Sequence, residues 1–175
     1  KKRVLCFICE HSDLVLADSE FTAGQYRKTM DIDPIVVYDF ISDSMQNNTL
    51  YGEKIVHVTP TRAKGINVTL DIAERMSERE FMIVGSSPSK EVESRIHTLS
   101  NVTYNGYVET MSRVYNEAKF VIVPSKWNEP FGRVVVEAGL HKTPALCSAN
   151  GGLPESVGYS EFVVNSNNPE GYIQQ

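Results

Sequence analysis

Short runs of β-branched and aromatic residues alternate along the chain with longer stretches whose apolar positions recur at helical spacing. From Ile35 onward the runs are Ile35-Val36-Val37-Tyr38, Ile55-Val56-His57-Val58, Phe81-Met82-Ile83-Val84, Val102-Thr103-Tyr104, Phe120-Val121-Ile122-Val123, Ala145-Leu146-Cys147 and Phe162-Val163-Val164. They are nearly continuous in apolar character, which suits strands buried on both faces of a parallel sheet. Between them, residues 65–76 place Ile66, Leu70, Ile72 and Ala73 roughly on one helical face. Residues 89–99 and 110–118 read as further helices, the latter with Thr110 as N-cap. Residues 132–140 are apolar nearly all round, which predicts a buried helix. Regular strand-then-helix alternation predicts a doubly wound parallel α/β sheet with right-handed crossovers. Ligands of such sheets sit beyond the carboxyl ends of the strands. Functional residues are therefore expected in the loops that follow strands.

The first part of the chain departs from this pattern. Residues 14–17 read as one short strand and 19–30 as one helix, before the aspartates at 31 and 33 and then Pro34 break the periodicity. Residues 1–33 are expected to be the end of a preceding domain and its linker. Residues 34–175 are expected to form one Rossmann-like ligand-binding domain, cut short near the helix start at Pro169. Residues 42–51 are polar and read as a solvated loop. The net charge of −5, with no block of Lys or Arg, argues against a nucleic-acid footprint. No apolar run approaches the ~18 residues of a membrane span. The apolar part of the opening Lys1–Cys9 segment is too short for a secretion signal, and the absence of an initiator Met suggests an internal position in a longer protein. Cys6 and Cys9 form a C-x-x-C, open to a redox or zinc reading. With Cys147 alone beyond them and no second ligand pair, they read rather as small apolar residues on one helix face. The N-x-T triplets at Asn47, Asn67 and Asn101 read as chance occurrences.

The post-strand loops carry the candidate chemistry. Arg62, Lys64 and Gly65 follow the strand ending at Val58, where a diphosphate would meet a cation and a helix N-terminus together; surface lysines at turns are equally common. Gly85 ends the strand at Val84, as a ligand-approach point or a plain turn. Tyr107 and Val108 follow Asn105-Gly106, and their backbone could read a nucleobase edge, or Tyr107 could be a packing aromatic. The richest segment is residues 124–137. Glu129 lies in the loop, while Pro130, Phe131 and Gly132 shape a helix entrance whose free amides face the cleft. Glu137 is the single acid on the otherwise apolar helix beyond. A buried carboxylate needs hydrogen-bond donors, which ligand hydroxyls, neighbouring backbone or Arg133 would supply. Gly151 and Gly152 again suggest close backbone contact with a ligand, or a tight turn.

The run from Glu129 to Gly139 resembles the E-x7-E motif of the retaining GT-B glycosyltransferases of family GT4, or glycosyl transferases group 1. Thr143-Pro144-Ala145 and Gly151-Gly152-Leu153-Pro154-Glu155 follow at the family's spacing, Lys64-Gly65 fits its K-G element, and Ala17-Asp18-Ser19-Glu20-Phe21-Thr22 resembles the segment closing the N-terminal half. The resemblance covers roughly residues 12–165. It implies the C-terminal half of a GT-B fold, binding a UDP- or GDP-sugar donor for hexosyl transfer without an essential metal or other cofactor. Glu129 would contact the donor sugar, the amides at Phe131 and Gly132 the diphosphate, Glu137 the ribose and Lys64 the departing diphosphate. Gly85 would line the phosphate region, and Tyr107 and Val108 would meet the base.

Many family members carry an Arg five or six residues before the Lys. Val58 and Thr59 stand there in this chain, which leaves Arg62 as the candidate substitute. The acceptor could be a glycan, a lipid-linked saccharide or a small molecule. The expected location is cytoplasmic or peripheral at the inner membrane face, and the chain alone is expected not to transfer sugar. A non-catalytic nucleotide-binding module and a nucleotide-sugar epimerase of the same fold stay open as alternatives. A dinucleotide-dependent dehydrogenase does not, because no G-x-G-x-x-G follows a strand.

Overall fold

A computed structural model describes residues 7–9, 11–41, 52–166 and 168–175. Cys6, the loop expected over 42–51 and the Asn47 triplet lie outside these residues. Six strands form one all-parallel sheet: β3 (Lys54–Val58), β4 (Phe81–Val84), β5 (Val102–Tyr104), β6 (Ala118–Val123), β7 (Ala145–Ser148) and β8 (Val163–Val164). Their order across the sheet is β5-β4-β3-β6-β7-β8. The winding direction reverses between β3 and β6, which is where a doubly wound sheet opens a crevice at its carboxyl edge.

Strand pleat sorts the core into two layers. Ile55, Phe81 and Ile83 join Ile66, Leu70 and Ile72 of α2 (Ile66–Arg75) and Val92 and Ile96 of α3 (Lys90–Thr98) on one face. Val56, Met82, Val84 and Val121 point to the other face. There they meet Val114 and Tyr115 of α4 (Met111–Glu117), Val135 and Ala138 of α5 (Arg133–Leu140) and Leu153 of α6 (Leu153–Val157). The final helix, α7 (Pro169–Ile173), packs beside α2. Ser89 caps α3 with a side-chain oxygen that accepts from the Val92 amide, and Glu91 in the first turn with Arg95 and His97 in the last suit the helix dipole.

Four local expectations need correction. Ile35-Val36 does not enter the six-stranded sheet. As β2 it pairs in parallel with β1 (Leu16–Ala17) in a separate two-stranded sheet, and Leu16 and Ile35 are exposed. Between β1 and β2 runs α1 (Glu20–Met30), capped by Ser19. Thr110 holds the N-cap position of α4, but its side chain makes no capping bond. Strand β6 begins at Ala118, because α4 ends one residue earlier. Finally, α5 is not buried all round: Val135 and Ala138 face the sheet, while Leu140 stands in solvent. An apolar composition had concealed that one face of this helix is uncovered.

Leu70 is completely buried between α2 and the sheet. Truncation there leaves a cavity that the surrounding strands cannot fill, so Leu70→Ala should lower the unfolding free energy by about 2–5 kcal/mol in urea denaturation. A loss under about 1 kcal/mol would mean the site collapses freely and the packing described here is loose.

Candidate functional site at the carboxyl edge of the sheet

Two loops leave the strands at the switch point and meet above it. Residues 59–65 follow β3 and residues 124–132 follow β6. The Lys126 amide donates to the Ala63 carbonyl at 2.8 Å, which fixes the loops side by side. Gly65 makes the fit possible. Its φ is +77°, and a Cβ there would stand 1.8 Å from the Pro124 carbonyl oxygen. The result is that Lys64 reaches across to Glu129, with Nζ at 2.6 Å from both carboxylate oxygens. The Ser125 hydroxyl donates to the same carboxylate at 2.8 Å. Glu129 is only 5% exposed, so its charge is sustained by these partners.

A third loop, after β7, closes against the second. Gly151 pairs with Glu129 in a parallel bridge, and the Gly152 amide donates to the Glu129 carbonyl at 2.7 Å. A Cβ on Gly151 would lie 2.2 Å from the Glu129 carbonyl oxygen, and one on Gly152 would lie 2.3 Å from that of Pro130. The glycine pair is therefore explained by protein backbone rather than by a ligand. Its effect on the site is indirect: it holds Glu129 in place.

Above these loops lies a cavity of about 250 Å³. Lys64, Glu129, Pro130, Phe131 and Gly132 line it, with Asp18 and Asp39 from the first part of the chain and Arg133 and Val134 from the first turn of α5. Gly132 is the N-cap of α5, with φ +103° and no side-chain cap. The first amides of this helix thus present the positive end of the helix dipole to the cavity. A larger apolar groove of about 480 Å³ lies at the opposite, amino edge, among Ile55, Ile72, Phe120, Leu146 and Tyr172.

The other candidate residues are placed differently. Arg62 is 67% exposed, pairs with Glu91 at the start of α3 and does not line the cavity. Gly85 sits at the end of β4 with its amide donating to the Gly106 carbonyl at 2.8 Å, and a Cβ there would meet Thr59 at 3.0 Å. Tyr107 is 81% exposed, while Val108 packs on the core. Glu137 lies on α5 beyond the cavity lining. It accepts from the Tyr115 hydroxyl at 2.9 Å and faces Arg133 at 3.6 Å, so protein groups supply partners for both oxygens. Burial, together with the Glu137 charge, pushes the Tyr115 phenol far above its usual range. Asp31-Ile32-Asp33 has D-x-D spacing, but neither aspartate lines the cavity, and Asp33 pairs with Arg27 at 2.5 Å.

Sequence reasoning missed four contributors: Ser125, His57, Asp18 and Asp39. His57 was visible as the one polar residue in the apolar run from Ile55 to Val58. It is buried and lines the cavity floor. Its Nε2–H donates to the Thr59 carbonyl at 3.3 Å and its Nδ1 accepts from the Thr69 hydroxyl at 2.8 Å, the tautomer that these partners require. Thr59 has φ +67°, uncommon for a β-branched residue, so His57 braces a strained residue at the root of the Lys64 loop. Burial lowers the His57 pKa to about 4.

The unfolded chain protonates this imidazole below about pH 6.5, the folded chain only near pH 4. Its contribution to stability is therefore complete above about pH 6.5 and shrinks as pH falls toward 4. His57→Gln, which does not titrate, should show a shallower loss of stability than the parent between about pH 7 and pH 4.5. Parallel pH profiles in chemical denaturation would contradict the burial of a neutral His57.

Comparison with known proteins gives the lineage of this arrangement. The profile of the glycosyl transferases group 1 family matches residues 52–175. An uncharacterized glycosyltransferase of Methanocaldococcus jannaschii is 32% identical over 106 residues, covering 55% of this chain and 27% of that protein. A D-inositol 3-phosphate glycosyltransferase of Mycolicibacterium gilvum is 47% identical over 62 residues, or 34% of this chain and 14% of that protein. Among solved structures, Anabaena HepE in complex with UDP and glucose superposes with a TM-score of 0.87 at 19% identity, over 99% of this chain and 55% of that one. The chain thus spans about half of that structure and about a quarter or less of these two curated relatives. HepE shares the fold, a GT-B Rossmann-like domain. By its sequence match over most of its length, the chain belongs to the glycosyl transferases group 1 family.

Proposed function

We propose that this chain is the donor-binding part of a retaining hexosyltransferase that draws its sugar from a UDP- or GDP-sugar. The observation that carries this reading is the Lys64–Glu129 pair beside the uncapped start of α5. Departure of a nucleoside diphosphate from a sugar develops negative charge on the phosphates. A cation and helix amides already in place stabilise that charge most where water is excluded. Lys64 and the amides at Phe131 and Gly132 take that role, and the Glu129 carboxylate accepts from hydroxyls of the donor sugar. The cavity, about 250 Å³, is below the ~300–1,000 Å³ usual for small-molecule sites, which suits the sugar and phosphates with the nucleoside lying along the open edge.

Without donor, Lys64 and Glu129 satisfy each other. Donor binding exchanges this contact for two: ammonium to phosphate and carboxylate to sugar hydroxyl. Neither charge is left buried and unpaired at any stage, which would be costly. Glu137 is assigned to the ribose hydroxyls, with Tyr115 orienting its carboxylate. Gly85, Tyr107 and Val108 are assigned to the phosphate and base ends through their backbone. Arg62 supplies general positive charge at the edge. The crystallised complex of HepE with UDP and glucose supports the same ligand class. In the whole protein the sugar passes to an acceptor held by the remainder of the molecule.

Calorimetric titration of the chain with UDP, GDP and their sugar conjugates should show saturable binding of one nucleotide. Lys64→Ala should weaken that nucleotide by about tenfold or more, and Glu137→Ala should weaken it to a lesser degree. A folded sample that binds none of these nucleotides would overturn the donor-binding reading. In the whole protein, Lys64→Ala should reduce kcat for sugar transfer by about 10²–10³-fold.

A further inference from the structure

The first part of the chain forms one wall of the cavity with Asp18 and Asp39, and this wall carries one carboxylate without a use. Asp18 lines the cavity, and its Oδ1 is buried with no hydrogen-bond partner among the described residues. Burying a carboxylate oxygen without a donor is unfavourable, and such an atom is a place where a ligand donor is missing. The other acid on this wall, Asp39, is engaged at 3.5 Å by Arg133.

Asp18 is also held firmly. On its N-terminal side, the Ala17 carbonyl accepts from the Val37 amide at 2.8 Å. On its C-terminal side, the Ser19 hydroxyl donates to the Pro130 carbonyl at 2.5 Å and accepts from the Thr22 amide at 3.0 Å. At the next two residues, the Glu155 carboxylate accepts from the Glu20 and Phe21 amides at 2.8 and 3.1 Å, and it also accepts from the Tyr38 hydroxyl at 2.7 Å. The start of α1 is thus tied both to the loop that carries Glu129 and to the Gly-Gly-Leu-Pro-Glu segment. Position 18 is fixed relative to Glu129 through a single intervening contact.

A carboxylate only accepts hydrogen bonds, so its ligand must present donors. It would repel phosphate, which the Lys64 side of the cavity attracts. Neutral hydroxyls fit. Resting on the donor-binding reading above, we infer that Asp18 is a positioning and specificity residue that accepts hydrogen bonds from hydroxyls of the donor's sugar in the cavity it shares with Glu129. The sugar is then held by two carboxylates, Glu129 from the loop after β6 and Asp18 from the segment before α1. The nucleoside diphosphate makes no use of Asp18.

The test is a comparison of two affinities in each variant. UDP with UDP-glucose, and GDP with GDP-mannose, are titrated into the parent chain, Asp18→Ala and Asp18→Asn. The expected result is a loss of about ten- to hundredfold in the nucleotide-sugar affinity of Asp18→Ala, with the bare nucleotide unchanged within about twofold. Asp18→Asn, which keeps an acceptor oxygen, should recover part of the loss. Equal weakening of nucleotide and nucleotide sugar would indicate a structural role, and unchanged affinities would indicate none; either overturns the assignment. A parent chain that binds neither ligand overturns the donor-binding reading itself, and this assignment with it. The two failures are therefore distinguishable, because the bare nucleotide reports on the first reading alone.

Discussion

The ion pair between Lys64 and Glu129 is the constraint around which the rest of the carboxyl edge is arranged. It joins the loops after β3 and β6, the two strands between which the sheet changes its winding direction. A carboxylate as buried as Glu129 is unfavourable unless its partners are held at bonding distance. The surrounding backbone therefore has little freedom. Gly65 lets the first loop lie against Pro124, Ser125 adds a second donor, and Gly151 and Gly152 lay a third loop along the backbone of Glu129 and Pro130. His57 supports the same structure from below by bracing Thr59. These residues come from four loops or strands, yet each acts on where one carboxylate sits.

This arrangement separates residues that touch a ligand from residues that place them. In the proposed account Lys64, Glu129 and the first amides of α5 meet the donor. Gly65, Gly151, Gly152, Ser125 and His57 do not, although several lie in the segments that carry the family resemblance. Glu155 is the clearest case. It ends the Gly-Gly-Leu-Pro-Glu segment and points away from the cavity lining, where it caps α1 and holds Tyr38. Its partners place the first part of the chain against the site, so that Asp18 and Asp39 become part of the cavity wall.

Much of this was legible in the sequence, for physical reasons that can be named. The strands of the large sheet are buried on both faces and so read as continuous apolar runs, and the predicted α/β winding follows from them. Lys64 and Glu129 stood out because they follow strands, and the structure brings them together at 2.6 Å. The sequence was silent where contacts span long separations. Nothing local shows that Ser19 meets Pro130, or that Ile35-Val36 pairs with Leu16-Ala17 rather than entering the large sheet. Arg62 had the right charge and loop, but its side chain turns to Glu91 instead of the cavity. The partner that Glu137 has within the protein, Tyr115, lies on a different helix and so could not be read from its own segment.

The most direct test of the account is a crystal structure of the chain with the bound nucleoside diphosphate. The account predicts that the Lys64 ammonium leaves Glu129 and lies on the phosphates, with the amides at Phe131 and Gly132 on the same group, and that the Glu129 carboxylate, still held by the Ser125 hydroxyl, faces the place of the sugar. A bound nucleotide with the Lys64–Glu129 contact still closed, or with the phosphates away from the start of α5, would contradict it.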